Sequence, residues 1–330
     1  MKKIILAAMA FAALAACSKE TTVDVAREEI AFGNAFVDNS TKADAATDPS
    51  YSTSGKGVAL TQFNVYGAVN GVNIFNGNTV TKGEAAYGSA WDLSGTKQYW
   101  IAGANYKFVG VVDGNKTDVT VITPDAAGLP ETITYTADGA TDLLCDVVTV
   151  NKAGDPSYPL VAFNYTHLLS KINFAVKNTT GASATNYRFV LTSAKLTNVY
   201  KSAVYGVDAD DWTTTGSETR EFVLENLIIN SADTQYHSKE VLLIPGSSVG
   251  VSIAAEIQAT DNGGTTWKKV SEVTKTFSDV VTLAKATAYN FIVELCVGKE
   301  IQFTATTMKE WANGNTVDTN EDSVKDSVVL

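Results

Sequence analysis

The stretch Phe163-Asn164-Tyr165-Thr166-His167-Leu168-Leu169-Ser170-Lys171-Ile172-Asn173-Phe174-Ala175-Val176 decides the fold class. In its second half apolar and polar side chains alternate. A period of two places Ile172, Phe174 and Val176 on one face of an extended chain, as a half-buried β-strand requires. The same alternation recurs in Phe63-Asn64-Val65-Tyr66, Tyr106-Lys107-Phe108-Val109 and Tyr289-Asn290-Phe291-Ile292-Val293. Stretches with helical periodicity are scarce.

Turn chemistry separates the alternating runs. Asn70-Gly71, Asn76-Gly77, Asp113-Gly114, Asp138-Gly139, Asn262-Gly263-Gly264 and Asn313-Gly314 supply residues that tolerate the positive φ of tight connections. Many short strands joined by such turns predict an all-β chain built as antiparallel sandwiches. The length of 330 residues exceeds what one hydrophobic core usually serves, so two domains are expected. Asp155-Pro156-Ser157-Tyr158-Pro159 marks the break, because two prolines so close together cannot sit in a central strand. The expected organisation is a β-sandwich over 28–159 and a second over 160–330 that ends in a tail. A first strand is expected around Ile30 to Val37, followed by an exposed loop rich in Ser, Thr, Ala and Asp up to Gly57.

Composition excludes several classes. Apolar residues make up 45% and charged residues 18%, which rules out a disordered chain. The formal charge is 25 − 36 = −11. With Arg27, Arg188 and Arg220 as the only arginines and no basic run, the chain lacks the patch that a phosphate backbone needs, so nucleic acid is excluded as a partner.

The N-terminus is a targeting segment. Lys2 and Lys3 precede an apolar run from Ile4 to Ala16 that is too short to span a bilayer comfortably. It ends in Leu14-Ala15-Ala16-Cys17, which resembles the lipobox of bacterial lipoproteins. On this reading residues 1–16 are the signal peptide, cleavage falls between Ala16 and Cys17, and Cys17 carries the lipid. Residues 17–27 then form a polar tether or propeptide. The remaining cysteines, Cys145 and Cys296, lie in apolar surroundings and are expected as buried free thiols, with a disulfide between them as the alternative.

No catalytic or metal site is expected, and no cofactor. The common hydrolase, metalloprotease and nucleotide signatures do not occur. Of the two histidines, His167 has no second ligand nearby and is expected to bond its ring to backbone, and His237 is expected in a polar loop. Glu28, Glu29, Asp208, Asp210 and Asp211 are clustered in sequence, unlike carboxylate pairs that meet across a cleft. Asp318, Asn320 and Asp322 begin a calcium-like pattern, but Ser323 and Val329 stand where that loop needs glycine and an acid. Trp91, Tyr99 and Trp100 could stack on a sugar, but strand-borne aromatics more commonly form a core.

Several segments taken together resemble the fimbrillin-like lipoproteins of Bacteroidetes, the family that includes type V pilus subunits. They are Ile30-Ala31-Phe32 with Thr41-Lys42-Ala43, Phe63 to Gly67, Tyr99-Trp100 with Tyr106-Lys107-Phe108, Asp142-Leu143-Leu144, Phe163 to Phe174, Leu242-Leu243-Ile244-Pro245, Ala288-Tyr289-Asn290-Phe291, and Ile301-Gln302-Phe303 with Trp311. The resemblance implies two tandem transthyretin-like sandwich domains, export as an outer-membrane lipoprotein, and assembly of pilus subunits by β-strand exchange. It also implies that a trypsin-like protease cuts after a basic residue. Arg27 matches that position, with Lys42 and Lys56 as alternatives that would release the first strand itself. The tail from Val317 to Leu330 offers Val324, Val328, Val329 and Leu330 as a donor strand. Expected partners are therefore other pilus subunits, and the outer membrane through the lipid. The competing reading is a monomeric surface lipoprotein that binds a glycan or a host protein.

Overall fold

In a computed structural model the described residues are 28–33, 35–37, 60–85, 88–153, 157–181, 185–221, 227–230 and 237–307. All eighteen elements among them are β-strands. Among the described residues the fold is all-β, in three sheets.

The first sheet runs in the order β1 (Phe36–Val37), β9 (Asn164–His167), β8 (Leu144–Asn151), β5 (Asn105–Val112), β2 (Gln62–Val69), β3 (Val72–Thr81) and β4 (Asp92–Leu93). Its pairings are antiparallel except for β1, which lies parallel to β9. The second sheet comprises β14 (His237–Leu243), β10 (Ser170–Asn178), β17 (Ala288–Leu295) and β18 (Gln302–Thr307), with β10 and β17 parallel. The third comprises β16 (Lys268–Thr282), β15 (Ser248–Ala259), β11 (Tyr187–Gly206), β7 (Pro130–Thr136) and β6 (Thr120–Pro124). Two further strands, β12 (Asp211–Glu221) and β13 (Leu227–Asn230), also pair with β11.

The 20-residue β11 ties the molecule together. Its first half pairs with β15 and β13, and its last residues pair with β7 and β12. The third sheet therefore joins strands from before and after Pro159. Residues 157–160 take part in no strand.

Strand alternation builds three apolar clusters. Ile172, Phe174 and Val176 of β10 face Phe189, Leu191 and Ile253 of the third sheet. On the first sheet the two faces bury different residues: Tyr106 and Phe108 of β5 belong to one cluster, Val109 and Val111 to another. The second of these clusters packs against Ile133 and Tyr135 of β7 and Ala203 and Tyr205 of β11. The stretch Phe163–Val176 passes through all three. Phe163 and Tyr165 enter the first-sheet core, Leu168 and Leu169 the middle one, and Ile172 onward the last.

Turn chemistry behaves as the residues require at Asn70-Gly71, where φ values of 48° and 79° close the β2–β3 hairpin. Other expectations need correction. His237 opens β14 opposite Val176 and is not in a loop, because pairing with the apolar β10 extends the strand into a polar stretch. The Nδ1 of His167 faces Asp142 Oδ2 at 2.6 Å, so a carboxylate engages one side of its ring. Cys145 and Cys296 are both free, so they form no disulfide. Cys145 is buried, whereas Cys296 is only half-buried. Trp91 and Trp100 are buried and serve the core, while Tyr99 is exposed.

Candidate assembly site

The segment from Glu28 to Val37 is threaded between two other parts of the first core. On one flank the Trp100 amide donates to Glu28 O (2.9 Å), Ile30 N to Gln98 O (2.8 Å), and Trp91 N to Phe32 O (2.8 Å). On the other, Val161 N donates to Ala31 O (2.9 Å) and Gly33 N to Val161 O (3.0 Å). Regular pairing then continues as β1 against β9, Phe36 opposite Asn164 and Val37 opposite Tyr165. The expected first strand is thus present, but as bridges at Glu29 and Phe32 followed by a two-residue strand.

The interruption falls at Gly33. A Cβ there would lie 2.6 Å from Ser89 O and 2.9 Å from Leu160 Cδ2, so only glycine lets the chain pass between them.

What holds the segment is its apolar side. Ile30, Phe32 and Ala35 are buried. The Phe32 ring has centroids of Phe75, Phe108, Phe163 and Phe63 at 5.4, 5.5, 6.3 and 6.5 Å. Edge-to-face contacts predominate in this cage, the arrangement that aromatic quadrupoles favour. Burying Ile30 and Phe32 contributes about 3–6 kcal/mol together. The polar side adds little. Glu29 pairs with Lys97 at 2.7 Å, but Lys97 is two-thirds exposed, and water screens the pair. Near the start of the segment the buried Lys152 places its ammonium 5.6 Å from the Trp100 ring and 5.1 Å from that of Tyr158.

Taken out of this groove, the segment would leave an aromatic cage open to water and two rows of main-chain groups without partners. Such a combination accepts another strand.

Of the residues singled out in the sequence, Ala16, Cys17, Arg27, Lys42 and Lys56 lie outside the described residues, as do Val324, Val328, Val329 and Leu330, and Asp318, Asn320 and Asp322. Three of the five clustered carboxylates are engaged in ion pairs: Glu29 with Lys97, Asp208 with Lys107 at 2.6 Å, and Asp210 with Lys285 at 2.5 Å. Among the described residues no group of His, Cys, Asp and Glu is arranged to hold a metal ion. Sequence reasoning missed the place of Phe32 at the centre of the cage. Its signal was there in Ile30 and Phe32, spaced by two and followed by glycine.

The fold and this groove define an all-β protein whose first described segment is inserted as a strand into the sheet core. A profile of the fimbrillin-like family matches residues 37–311, and the chain belongs to that family. It is a family of fimbrillin- and adhesin-like structural proteins and not of enzymes. Among solved structures, a fimbrial protein from Bacteroides vulgatus is similar over 86% of this chain and 99% of its own, with 16% identity and a TM-score of 0.57. A candidate cell adhesion protein from Bacteroides uniformis is similar over 85% of this chain and 97% of its own, with 15% identity and a TM-score of 0.51. At such identities the likeness is one of fold. No curated protein matches the chain in sequence.

Proposed function

We propose that the chain is a structural subunit of a surface fimbria, exported as a lipoprotein and joined to its neighbours by β-strand exchange. On this reading residues 1–16 are the signal peptide, Cys17 carries the lipid, and 17–27 are the tether. Two tandem transthyretin-like sandwiches follow, over 28–159 and 160–330. The observation that carries the proposal is the insertion of residues 28–37 between 91–100 and 161–165, with Phe32 in its aromatic cage.

That position separates the three basic residues by consequence. The inserted segment begins one residue after Arg27, so cleavage there frees the chain from its tether and leaves Phe32 in place. Cleavage after Lys42 or Lys56 lies beyond the segment and allows it to leave. We therefore assign groove opening to Lys42 or Lys56 and release from the anchor to Arg27.

A donor must then refill the positions of Ile30 and Phe32, two residues apart. Val328 and Leu330 in the tail have the same spacing, which supports the tail of the next subunit as donor.

The test is the N-terminal sequence and size of the protein taken from cells, before and after limited trypsin. A new terminus at Ala43 or Gly57 with SDS-resistant ladders is the expected result. A terminus at Glu28 with ladders would overturn the assignment of groove opening. A lipidated Cys17 retained throughout, on a monomer that trypsin cannot convert, would overturn strand exchange and favour a lone surface lipoprotein that binds a glycan or host protein.

A further inference from the structure

A cavity of about 490 Å³ opens at one end of the first sheet. It lies between the β2–β3 turn at Asn70, the start of β5 at Asn105, the end of β8 at Asn151 and the turn from β6 to β7 at Asp125. Its volume falls in the range of small-molecule sites. Leu129 and Val150 contribute apolar lining, and the exposed amides of Asn70, Asn105 and Asn151 stand at its rim.

The rim is held rigid by bonds that leave ligand-binding atoms free. Asn70 Oδ1 accepts from Asn105 N at 2.9 Å, and Asn151 Oδ1 accepts from Ala153 N at 2.7 Å. Asp125 Oδ1 accepts from the amides of Ala127 and Leu129, at 2.8 and 2.9 Å. The two sheets are tied across the opening by Asn73 Nδ2, which donates to Gly128 O at 3.3 Å. Among the described residues this leaves the side-chain amide of Asn105, the Nδ2 groups of Asn70 and Asn151, and Asp125 Oδ2 without hydrogen-bond partners. A site whose supports are already bonded loses little freedom on binding.

The chemistry of the rim selects the ligand. A side-chain amide is donor and acceptor on one planar group, as adjacent sugar hydroxyls are each donor and acceptor. The rim's main chain is already paired, Asn70 N to Asn105 O at 2.8 Å and Asp125 N to Leu129 O at 2.7 Å, so an extended peptide would find no open strand edge. Lys107, which also lines the cavity, is neutralised by Asp208 at 2.6 Å, leaving Asp125 as the uncompensated charge. That charge disfavours anionic ligands.

We infer that this cavity is a binding site for a neutral oligosaccharide, of about two pyranose rings at most. Asn105 and Asn151 hold the hydroxyls, and the Leu129 and Val150 side takes the C–H face of a ring. The inference does not depend on strand exchange.

The mature chain, with Cys17→Ser for solubility, is titrated by calorimetry and saturation-transfer NMR with a panel of neutral and sialylated oligosaccharides. Binding of neutral members is expected, weakened about tenfold by Asn105→Ala or by Asn151→Ala, which each remove one hydrogen-bonding group. Thr96→Ala, an exposed position that does not line the cavity, should bind as the parent does. Unchanged melting temperatures show that the variants remain folded. The inference is overturned if no neutral sugar binds at millimolar concentration, if only sialylated sugars bind, or if binding survives both substitutions in folded protein. Fimbriae that assemble from a chain binding no sugar would overturn this site alone.

Discussion

Phe32 and Phe163 lie stacked, with ring planes 7° from parallel and centroids 6.3 Å apart. One belongs to the inserted N-terminal segment and the other to the entry into β9, so the contact fastens the segment to the sheet it completes. Phe32→Ala is expected to destabilise the uncleaved chain by about 3–5 kcal/mol, because the cage of four phenylalanines cannot collapse onto the space. The urea midpoint of the full mature chain measures it. A loss below about 1 kcal/mol would mean the segment is not packed as described.

Gly110 and Tyr165 are coupled by contact. A Cβ at position 110 would lie 2.1 Å from Tyr165 Oη, and that buried hydroxyl has no hydrogen-bond partner. Gly110→Ala should therefore be strongly destabilising. Tyr165→Phe removes an orphaned polar atom and should cost less than about 1 kcal/mol, or stabilise. In the double variant the alanine should cost less than it does alone, since the nearest clash is gone. A thermodynamic cycle on the four proteins reads the coupling, and strict additivity would contradict this geometry.

Asp138 gives the acid limb of stability a specific contributor. Burial pushes its carboxyl up, but bonds from Thr141 Oγ1, the Thr141 and Ala140 amides and Lys116 outweigh it and bring the carboxyl down to about 2. A folded value below the unfolded one stabilises above the unfolded value, near 4, and that stabilisation is lost as pH falls towards 2. Because the side chain keeps 29% exposure, the contribution is set at about 1–2 kcal/mol. Asp138→Asn should cost that much at pH 7, and the difference from the parent should shrink between pH 4 and pH 2. A difference constant down to pH 2 would show that the bonds do not depend on the charge.

The thiols of Cys145 and Cys296 should react very differently. Cys145 is 6% exposed, and burial pushes its thiol up to about 12, so almost no thiolate is present at pH 8. In native protein carrying Cys17→Ser, one equivalent of a thiol reagent should react readily, at Cys296. The second should wait for denaturant. Fewer than two thiols in denatured, unreduced protein would reveal a disulfide.

Much of the fold was legible along the chain because strand periodicity and hairpin turns are local. Ile172, Phe174 and Val176 declare a buried face wherever the strand goes, and Asn70-Gly71 declares a reversal from its own backbone preferences. Local signals do not say which strand lies beside which. That β10 runs parallel to β17, or that the end of β11 pairs with β7 from far upstream, follows from the packing of whole faces. Leu168 and Leu169 show the limit well: two successive buried leucines break the alternation because the chain is leaving one sheet for another.

The candidate sites divide along the same line. The proposed lipidation at Cys17 and cleavage after a basic residue rest on short motifs, since an enzyme reads an exposed segment without needing its fold. The cage around Phe32 is built by phenylalanines from four separate segments, and the cavity beside Asn105 by turns of two sheets. By itself the sequence determined the alternating faces of strands such as β10 and the hairpin at Asn70-Gly71. Only the tertiary structure decided that Phe32 plugs a groove, that Trp91 and Trp100 are core, and that Cys145 and Cys296 stay apart. These depend on which side chains meet across sheets, and that is settled by the burial of whole apolar faces against one another.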